Sequence, residues 1–111
     1  MVSYDSLVVK FSIPPDKLKE ECSDKVLCVI SRKFTTWKNA APHFEMGDET
    51  VDTINKGNHD EEGKRLELLR RWQQKFGYES TNENLIRRLL ASERADLATT
   101  VAKEIMGEPG R

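Results

Sequence analysis

The apolar residues of this chain recur at spacings of three and four from Leu18 to Ile105, and residues that start or stop helices interrupt the pattern repeatedly. Such spacing places the apolar side chains on one face of each helix, and that face must be buried against other helices. The candidate starting residues are Ser23 or Asp24, Thr36, Asp48, Asp60 and the box formed by Ser80 and Glu83. The candidate stopping residues are Gly47, Gly57, Gly77 and Gly107. The pattern therefore predicts an all-α chain of short helices around one core.

The helix that begins near Asp60 shows which side chains face inward. Its apolar residues Leu66, Leu69, Trp72 and Phe76 fall within about 120° of arc, so Trp72 belongs to a buried stripe and not to an exposed platform for stacking bases. The same reasoning applied to each helix predicts one core. Its members are Val26, Ile30, Trp37, Phe44, Val51, Ile54, Leu66, Leu69, Trp72, Phe76, Leu85, Ile86, Leu89, Leu97, Val101 and Ile105.

The N-terminal segment has a different pattern. Residues 7–13 carry apolar side chains at every second position, from Leu7 to Ile13, which predicts a short strand or extended segment ended by Pro14 and Pro15. A lone strand cannot satisfy its own backbone, so its partner is expected outside this chain. The sequence thus divides into an extension at 1–22 (the end of a preceding β domain, or a linker), a helical domain at 23–106 and a flexible tail at 107–111.

The residue content argues against a catalytic or metal site. Cys22 and Cys28 would lie about 240° apart around a helix, which excludes a disulfide between them and favours reduced thiols in a cytosolic protein. His43 and His59 lack partners at metal-ligand spacing. No apolar run approaches the roughly 18 residues of a membrane span. We expect no enzymatic activity, metal, cofactor, small-molecule substrate or membrane insertion.

Charge is distributed unevenly along the chain. Residues 45–62 contain seven acids and one lysine, a net charge of −6, whereas residues 63–94 contain eight bases and four acids, a net charge of +4. The bases Lys64, Arg71 and Lys75 fall within about 40° of one another on the outer side of their helix. Because adjacent acids would repel phosphate, this pattern favours docking onto a similar protein domain, with the two charges on separate sides. The alternative is a helical nucleic-acid-binding module that uses the basic face of residues 64–94.

Two long stretches resemble the death-domain family. "TTWKNAAPHFEMGDETVDTI" is similar to the second and third helices of that family, and "LELLRRWQQKFGYESTNENLIRRLLASERADLATTV" is similar to the fourth to sixth. The residues that match the family pattern in order are Leu69, Trp72, Gly77, Thr81, Leu85, Ile86, Asp96, Leu97 and Ala98. The resemblance covers residues 23–106.

The resemblance implies a six-helix antiparallel bundle in Greek-key order, without a catalytic site. Members of the family bind other death domains and assemble into signalling oligomers in apoptotic, inflammatory or receptor pathways. The expected partners are therefore other death-domain proteins, with self-association possible. The expected location is the cytoplasm, including the intracellular part of a receptor or a membrane-associated scaffold.

A finer resemblance concerns "KFSIPPDKLKEEC". This stretch is similar to the entry into the death domain in netrin-receptor tails, where a strand closes a preceding β domain. The matching residues are Phe11, Ile13, Pro14 and Cys22. Ankyrins and a p53-induced death-domain adaptor share that layout, which would explain the predicted strand.

The family's mode of association also suggests contact residues. A basic outer face on the fourth helix would meet an acidic face around the second and third helices, and a basic corner near the fifth helix would make another contact. The candidate partner-binding residues are Lys64, Arg70, Arg71, Lys75, Asp48, Glu49, Asp52, Arg87, Arg88 and Arg94.

Overall fold

A computed structural model describes residues 11, 13–57 and 60–107, and helices dominate them. Within that part of the chain no strand is present apart from one isolated antiparallel bridge, Glu21 to Thr81. The α-helices are α1 (Pro15–Lys19), α2 (Asp24–Ser31), α3 (Trp37–Ala40), α4 (Asp48–Asn55), α5 (Glu61–Phe76), α6 (Asn82–Ala91) and α7 (Ala95–Ile105). Short 3₁₀ turns follow α3 at Ala41–Phe44 and α5 at Gly77–Glu79.

Helices α2–α7 form the six-helix bundle that the resemblance implies. Helix α2 lies against both α5 and α7, while α6 packs on α7 and α4 packs on α5. The 3₁₀ turn after α3 contacts α6. Helices distant in sequence thus lie side by side, as in the Greek-key order that the resemblance implies. The additional helix α1 packs on α6.

Side-chain caps begin three of the helices at residues of the expected type. Ser23 Oγ accepts a hydrogen bond from the Val26 amide at 3.2 Å. Asp60 Oδ1 accepts one from the Gly63 amide at 2.8 Å, and this cap begins the longest helix, α5. Each cap satisfies an amide that has no partner inside its own helix, so these starts are local properties of the sequence.

The cap of α6 differs from the predicted Ser80 box. Thr81 is the capping residue, and its Oγ1 accepts from the Asn84 amide at 3.2 Å. Ser80 is buried instead, and its hydroxyl donates to the Gly77 carbonyl at 2.5 Å. The one-residue shift follows from the 3₁₀ turn at Gly77–Glu79, which prolongs the end of α5.

The predicted core residues all lie in the core or pack against it, with different degrees of burial. The fully packed members of that list are Val26, Ile30, Trp37, Phe44, Ile54, Leu69, Trp72, Leu85, Ile86, Leu89, Leu97 and Val101. Four others are only partly buried at its edge: Val51, Leu66, Phe76 and Ile105. On α5 the buried position next to Leu69 is Leu68, so the apolar stripe is rotated away from Leu66.

An aromatic cluster occupies the middle of the bundle. Phe44 lies edge-on to Phe34 and to Trp72, with ring centroids 5.7 Å apart in both pairs. Trp72 also contacts Phe76, whose ring centroid is 6.5 Å away. These contacts join the turn after α3 to α5, and Trp72 is therefore part of the core, as the periodicity predicts.

The predicted strand at residues 7–13 lies mainly outside the described residues. At the two described positions, Phe11 has a helical backbone, so the strand prediction is wrong there, and Ile13 belongs to no regular element. Ile13 is fully buried in the same core as Leu18 of α1 and Cys22. The alternation of apolar residues at this point thus reflects a side chain that enters the helical core.

The segment before residue 23 is joined to the bundle by hydrogen bonds. The Cys22 amide donates to the Ser80 carbonyl, and the Asn82 amide donates to the Glu20 carbonyl, each at 2.9 Å. Gln73 Nε2 of α5 donates to the Cys22 carbonyl at 2.8 Å. The boundary placed between residues 22 and 23 therefore does not mark the edge of the hydrophobic core. A β domain before it stays a prediction, and of the tail only Gly107 is described.

Glu93, between α6 and α7, has a left-handed backbone, with φ of 60°. This conformation is costly for a residue with a Cβ atom and cheap for glycine. We expect Glu93→Gly to raise the free energy of unfolding by about 0.5–1 kcal/mol, measured by urea denaturation. Glu93→Ala, which keeps the Cβ atom, is the control and should give no gain. A loss of stability in Glu93→Gly would contradict the proposed strain.

Candidate protein-interaction surface

The basic face predicted on α5 is largely engaged inside the chain. Arg71 Nε donates to Glu67 at 2.7 Å, one turn away on the same helix. Lys64 Nζ lies 3.6 Å from Glu61, and its side chain is mostly buried. Lys75 is exposed, and its Nζ donates to the Glu45 carbonyl at 2.9 Å. Arg71 and Lys75 therefore remain accessible, whereas Lys64 is the least accessible of the three.

The acids predicted to meet such a face lie on α4. Asp48 and Glu49 are exposed in its first turn, where the helix dipole favours negative charge. Neither side chain forms an ion pair with any residue that the structure describes. Asp52 is different, because its carboxylate lies 2.9 Å from Lys56 Nζ. Asp48 and Glu49 are thus the acids that are available to a partner.

The start of α4 and the basic residues of α5 border one surface depression. Its lining consists of Glu45, Met46, Gly47, Thr50, Arg71, Gln74 and Lys75. Helix α4 packs directly on α5, so the helix that carries Asp48 and Glu49 lies beside Arg71 and Lys75, although neither acid lines the depression. That the two charge types occupy separate sides stays a prediction.

Arg70 lies on a different side of α5. Its guanidinium makes hydrogen bonds to both carboxylate oxygens of Asp24 at the start of α2, the shortest at 3.0 Å. The pair is open to water, with 47 % of the Arg70 side chain exposed. Arg70 is therefore not a lining residue of the depression at Arg71 and Lys75.

Arg94, predicted as a partner-binding residue, forms several hydrogen bonds within the chain. Its guanidinium donates to the Thr36 hydroxyl at 2.9 Å and to the Lys33 carbonyl at 3.0 Å, and it pairs with both carboxylate oxygens of Asp96. Only 17 % of its side chain is exposed. This hydrogen bonding holds the pKa of Asp96 below its usual range. Arg94 ties the loop after α2 to the start of α7.

Arg87 and Arg88, on α6, border a second depression. Its lining consists of Pro42, His43, Asn84, Arg87, Arg88 and Ala91. Arg87 pairs with Glu83 at 2.6 Å, and Arg88 lies 3.4 Å from Glu45 and donates to the His43 carbonyl at 2.8 Å. The structure therefore separates the predicted basic corner into Arg94, which braces the loop after α2, and the half-buried pair Arg87 and Arg88, which line a depression.

Comparison with known proteins agrees with the six-helix bundle of α2–α7. The family model described as Death domain matches residues 24–105, which include all six helices of the bundle. The chain belongs to the death-domain family. Death domains are protein-interaction modules, so the accessible charges around α4, α5 and α6 are candidate docking surfaces.

One relative of this death domain is human THO complex subunit 1. The two are 35 % identical over 101 residues, which is 90 % of this chain but only 15 % of the relative. The chain therefore spans less than a sixth of that relative's length. No solved structure gives a significant match.

Two exposed features of this death domain were not singled out by the sequence patterns. Tyr78 in the 3₁₀ turn after α5 is 90 % exposed, although aromatic residues are usually at least half-buried. Glu45 follows the turn after α3 with a left-handed backbone, φ of 60°, and lies between Arg88 and Lys75. The position of Tyr78 directly after the helix-stopping Gly77 is the one signal that could have marked it.

The two cysteines of this death domain lie in surroundings that disfavour the thiolate form. Burial raises the pKa of the Cys22 thiol to about 12, and the Cys28 thiol, whose pKa is also raised, donates to Asp24 at 3.6 Å. Neither is poised as a thiolate nucleophile. Within the described parts of the chain, no three His, Cys, Asp or Glu residues group as a metal site. No helix there is long and apolar enough to cross a membrane.

Proposed function

We propose that this domain is a non-enzymatic docking module that associates with other death domains, including copies of itself. The observation that carries the proposal is the depression between α4 and α5, where the accessible cations Arg71 and Lys75 adjoin the first turn of α4. Asp48 and Glu49, which form no ion pair with the described residues, lie in that turn. A surface with both charges side by side is complementary to a second surface of the same kind.

The size of these interactions sets what kind of association to expect. An exposed ion pair contributes about 0.2–1 kcal/mol, so two or three pairs give only weak binding between single domains. Charge pairing then selects the partner and the register, while affinity comes from many domains acting together. Such a module suits the assembly of oligomers better than a tight one-to-one complex.

The proposed setting is cytoplasmic, in apoptotic, inflammatory or receptor signal transduction. The likeness to a THO complex subunit supports a broader form of the same idea, in which the domain docks its parent protein into a multi-subunit assembly. Both settings require the same property, the binding of another protein through an exposed charged surface. The likeness to netrin-receptor tails and ankyrins stays a prediction about the parent protein.

The decisive experiment reverses one charge in the depression. In Arg71→Glu the new carboxylate replaces an accessible cation and stands one turn from Glu67, so it repels an acidic partner instead of attracting it. We expect self-association, measured by multi-angle light scattering over a concentration series, to weaken by about tenfold, as two lost or reversed pairs predict. Arg70→Glu is the matched control, because it makes the same change on another side of α5.

A rescue experiment identifies the partner residues. A chain carrying Asp48→Lys and Glu49→Lys should also associate weakly with itself, but mixing it with the Arg71→Glu chain should restore association. Helicity by circular dichroism should stay the same in each variant. Equal masses for the Arg71→Glu and unmodified chains would contradict the proposed contact, as would failure of the mixture to associate.

The alternative of nucleic-acid binding is weakened by the pairing within the chain. Most bases of residues 64–94 already face a carboxylate. The ion pairs are Lys64 with Glu61, Arg70 with Asp24, Arg71 with Glu67, Arg87 with Glu83, Arg88 with Glu45, and Arg94 with Asp96. Phosphate binding would have to displace these acids. Salt-dependent retardation of DNA or RNA at physiological ionic strength would favour this alternative.

A further inference from the structure

The depression beside α6 has features of a binding site and is lined by residues other than those that line the α4–α5 depression. It lies between the 3₁₀ turn at Ala41–Phe44 and helix α6, and its volume is about 380 Å³. Two guanidinium groups, an imidazole and a side-chain amide contribute to its lining, and no acid does. A depression of this composition attracts a negatively charged group.

Both arginines of the depression are held in place before any partner arrives. The Arg88 guanidinium lies over the Phe76 ring, 5.0 Å from its centroid, while Nη1 donates to the His43 carbonyl. Arg87 is held by Glu83 on the preceding turn of α6. Because the side chains are already ordered, little conformational entropy is lost when they bind a ligand.

The ion pairs within the chain show which chemical group these arginines bind. Each is paired with a carboxylate, Glu83 at 2.6 Å for Arg87 and Glu45 at 3.4 Å for Arg88. A guanidinium has five N–H donors, so neither carboxylate exhausts its arginine. The N–H groups that face the groove are therefore donors for a further carboxylate.

Glu45 is the more easily displaced of the two acids. It pairs with Arg88 at the longer distance, 54 % of its side chain is exposed, and it projects from a turn and not from α6. Glu83 by contrast is mostly buried and belongs to the same helix as Arg87. A carboxylate from another molecule can exchange with Glu45 at Arg88 without disturbing a helix.

A third depression adjoins the α6 depression at its end near α3. Its lining consists of Thr36, Asn39, Ala40, His43, Ala91, Ser92, Glu93 and Arg94, so the two share His43 and Ala91. Together they run between the α3 region and the end of α6. This continuous course suits an extended peptide more than a single small ion.

We propose that this α6 groove, lined by His43, Asn84, Arg87 and Arg88, binds an acidic segment of a partner protein, with Glu45 as the resident carboxylate that the segment displaces. The site goes beyond the proposed self-association, because its lining residues differ from those of the α4–α5 depression, although Glu45, which pairs with Arg88, lines that depression. Charge complementarity selects the segment, and the ordered guanidinium groups fix the position of its carboxylates.

The test uses a fluorescein-labelled peptide of six glutamates, followed by fluorescence anisotropy at a protein concentration where light scattering shows a monomer. We expect saturable binding that weakens about threefold to fivefold in Arg87→Gln, the upper part of the range for one exposed ion pair. Lys103→Gln is the control, because it removes one positive charge from α7 and should leave the affinity nearly unchanged. Circular dichroism verifies the fold of each variant.

The Glu45→Gln variant gives an opposite and independent readout. Removing the resident carboxylate should tighten peptide binding about twofold to threefold, whereas Glu62→Gln, an equal charge change at the start of α5, should have a smaller effect. Unsaturable binding would overturn the proposal, and so would equal effects of Arg87→Gln and Lys103→Gln. Displacement of the peptide by inorganic phosphate at matched ionic strength would assign the groove to phosphate groups instead. Since the protein is monomeric here, none of these results depends on self-association.

Discussion

Trp72→Ala is expected to lower the free energy of unfolding by about 3–5 kcal/mol, the usual range for removing a large aromatic side chain from a core. Trp72 is fully buried and contacts Phe44 and Phe76, so alanine would leave a cavity where the turn after α3 meets α5. A domain of this kind has a total stability of about 5–15 kcal/mol, so the loss is a large share of the total and the midpoint of urea unfolding should fall markedly. Urea denaturation followed by circular dichroism measures the change.

Trp72→Phe is the matched control for that experiment. The indole N–H of Trp72 is buried without a hydrogen-bond partner among the described residues, so the side chain stabilises the core by packing alone. Phenylalanine keeps most of the packing and removes the unsatisfied donor, and we expect a loss of only about 1–2 kcal/mol. Similar losses in the two variants would mean that the indole makes an essential polar contact. An unchanged midpoint for Trp72→Ala would contradict the burial of this residue.

Arg94→Gln is expected to lower the free energy of unfolding by about 2 kcal/mol, because hydrogen bonds of a mostly buried charged group are among the stronger ones. The substitution removes the bonds that join Lys33 and Thr36 to Asp96. Arg70→Gln is the control. It breaks a similar arginine–aspartate pair that is exposed to water, and it should cost no more than about 1 kcal/mol. Equal losses in the two variants would show that Arg94 is not a structural brace.

The same pair predicts a pH dependence. The pKa of Asp96 is lowered by Arg94, so the carboxylate binds its proton less readily in the folded chain than in the unfolded one. Its contribution to stability is therefore fully present above the ordinary aspartate pKa of about 4 and is lost as the pH falls below it. In Arg94→Gln the decline of unfolding free energy below that pH should be shallower than in the unmodified chain, measured by urea denaturation at stepwise lower pH.

The order of the helices could be predicted because the signals for it are local. Ser23 and Asp60 cap helices through hydrogen bonds that span three residues, and the apolar spacing of α5 identifies Trp72 as buried without knowledge of its partners. The structure departs from these predictions only slightly. The 3₁₀ turn at Gly77–Glu79 makes Thr81 the cap in place of Ser80, and a small rotation of α5 buries Leu68 in place of Leu66.

The candidate site was less predictable because its members come from different helices. Arg94 was grouped with Arg87 and Arg88 by sequence proximity, yet its hydrogen bonds go to residues about sixty positions earlier in the chain. The adjacency of acidic α4 and basic α5, and the place of Glu45 between Lys75 and Arg88, arise from packing. No spacing rule carries that information.

The all-helical character, the starts at Ser23 and Asp60 and the inward side of α5 followed from the amino-acid order alone, because hydrogen bonds and periodicity within a few residues determine them. Which charges remain free for a partner depended on the folded chain. A guanidinium group finds its carboxylate or carbonyl across the bundle, as Arg70 does at Asp24 and Arg88 at His43, and that choice is made only when the helices pack.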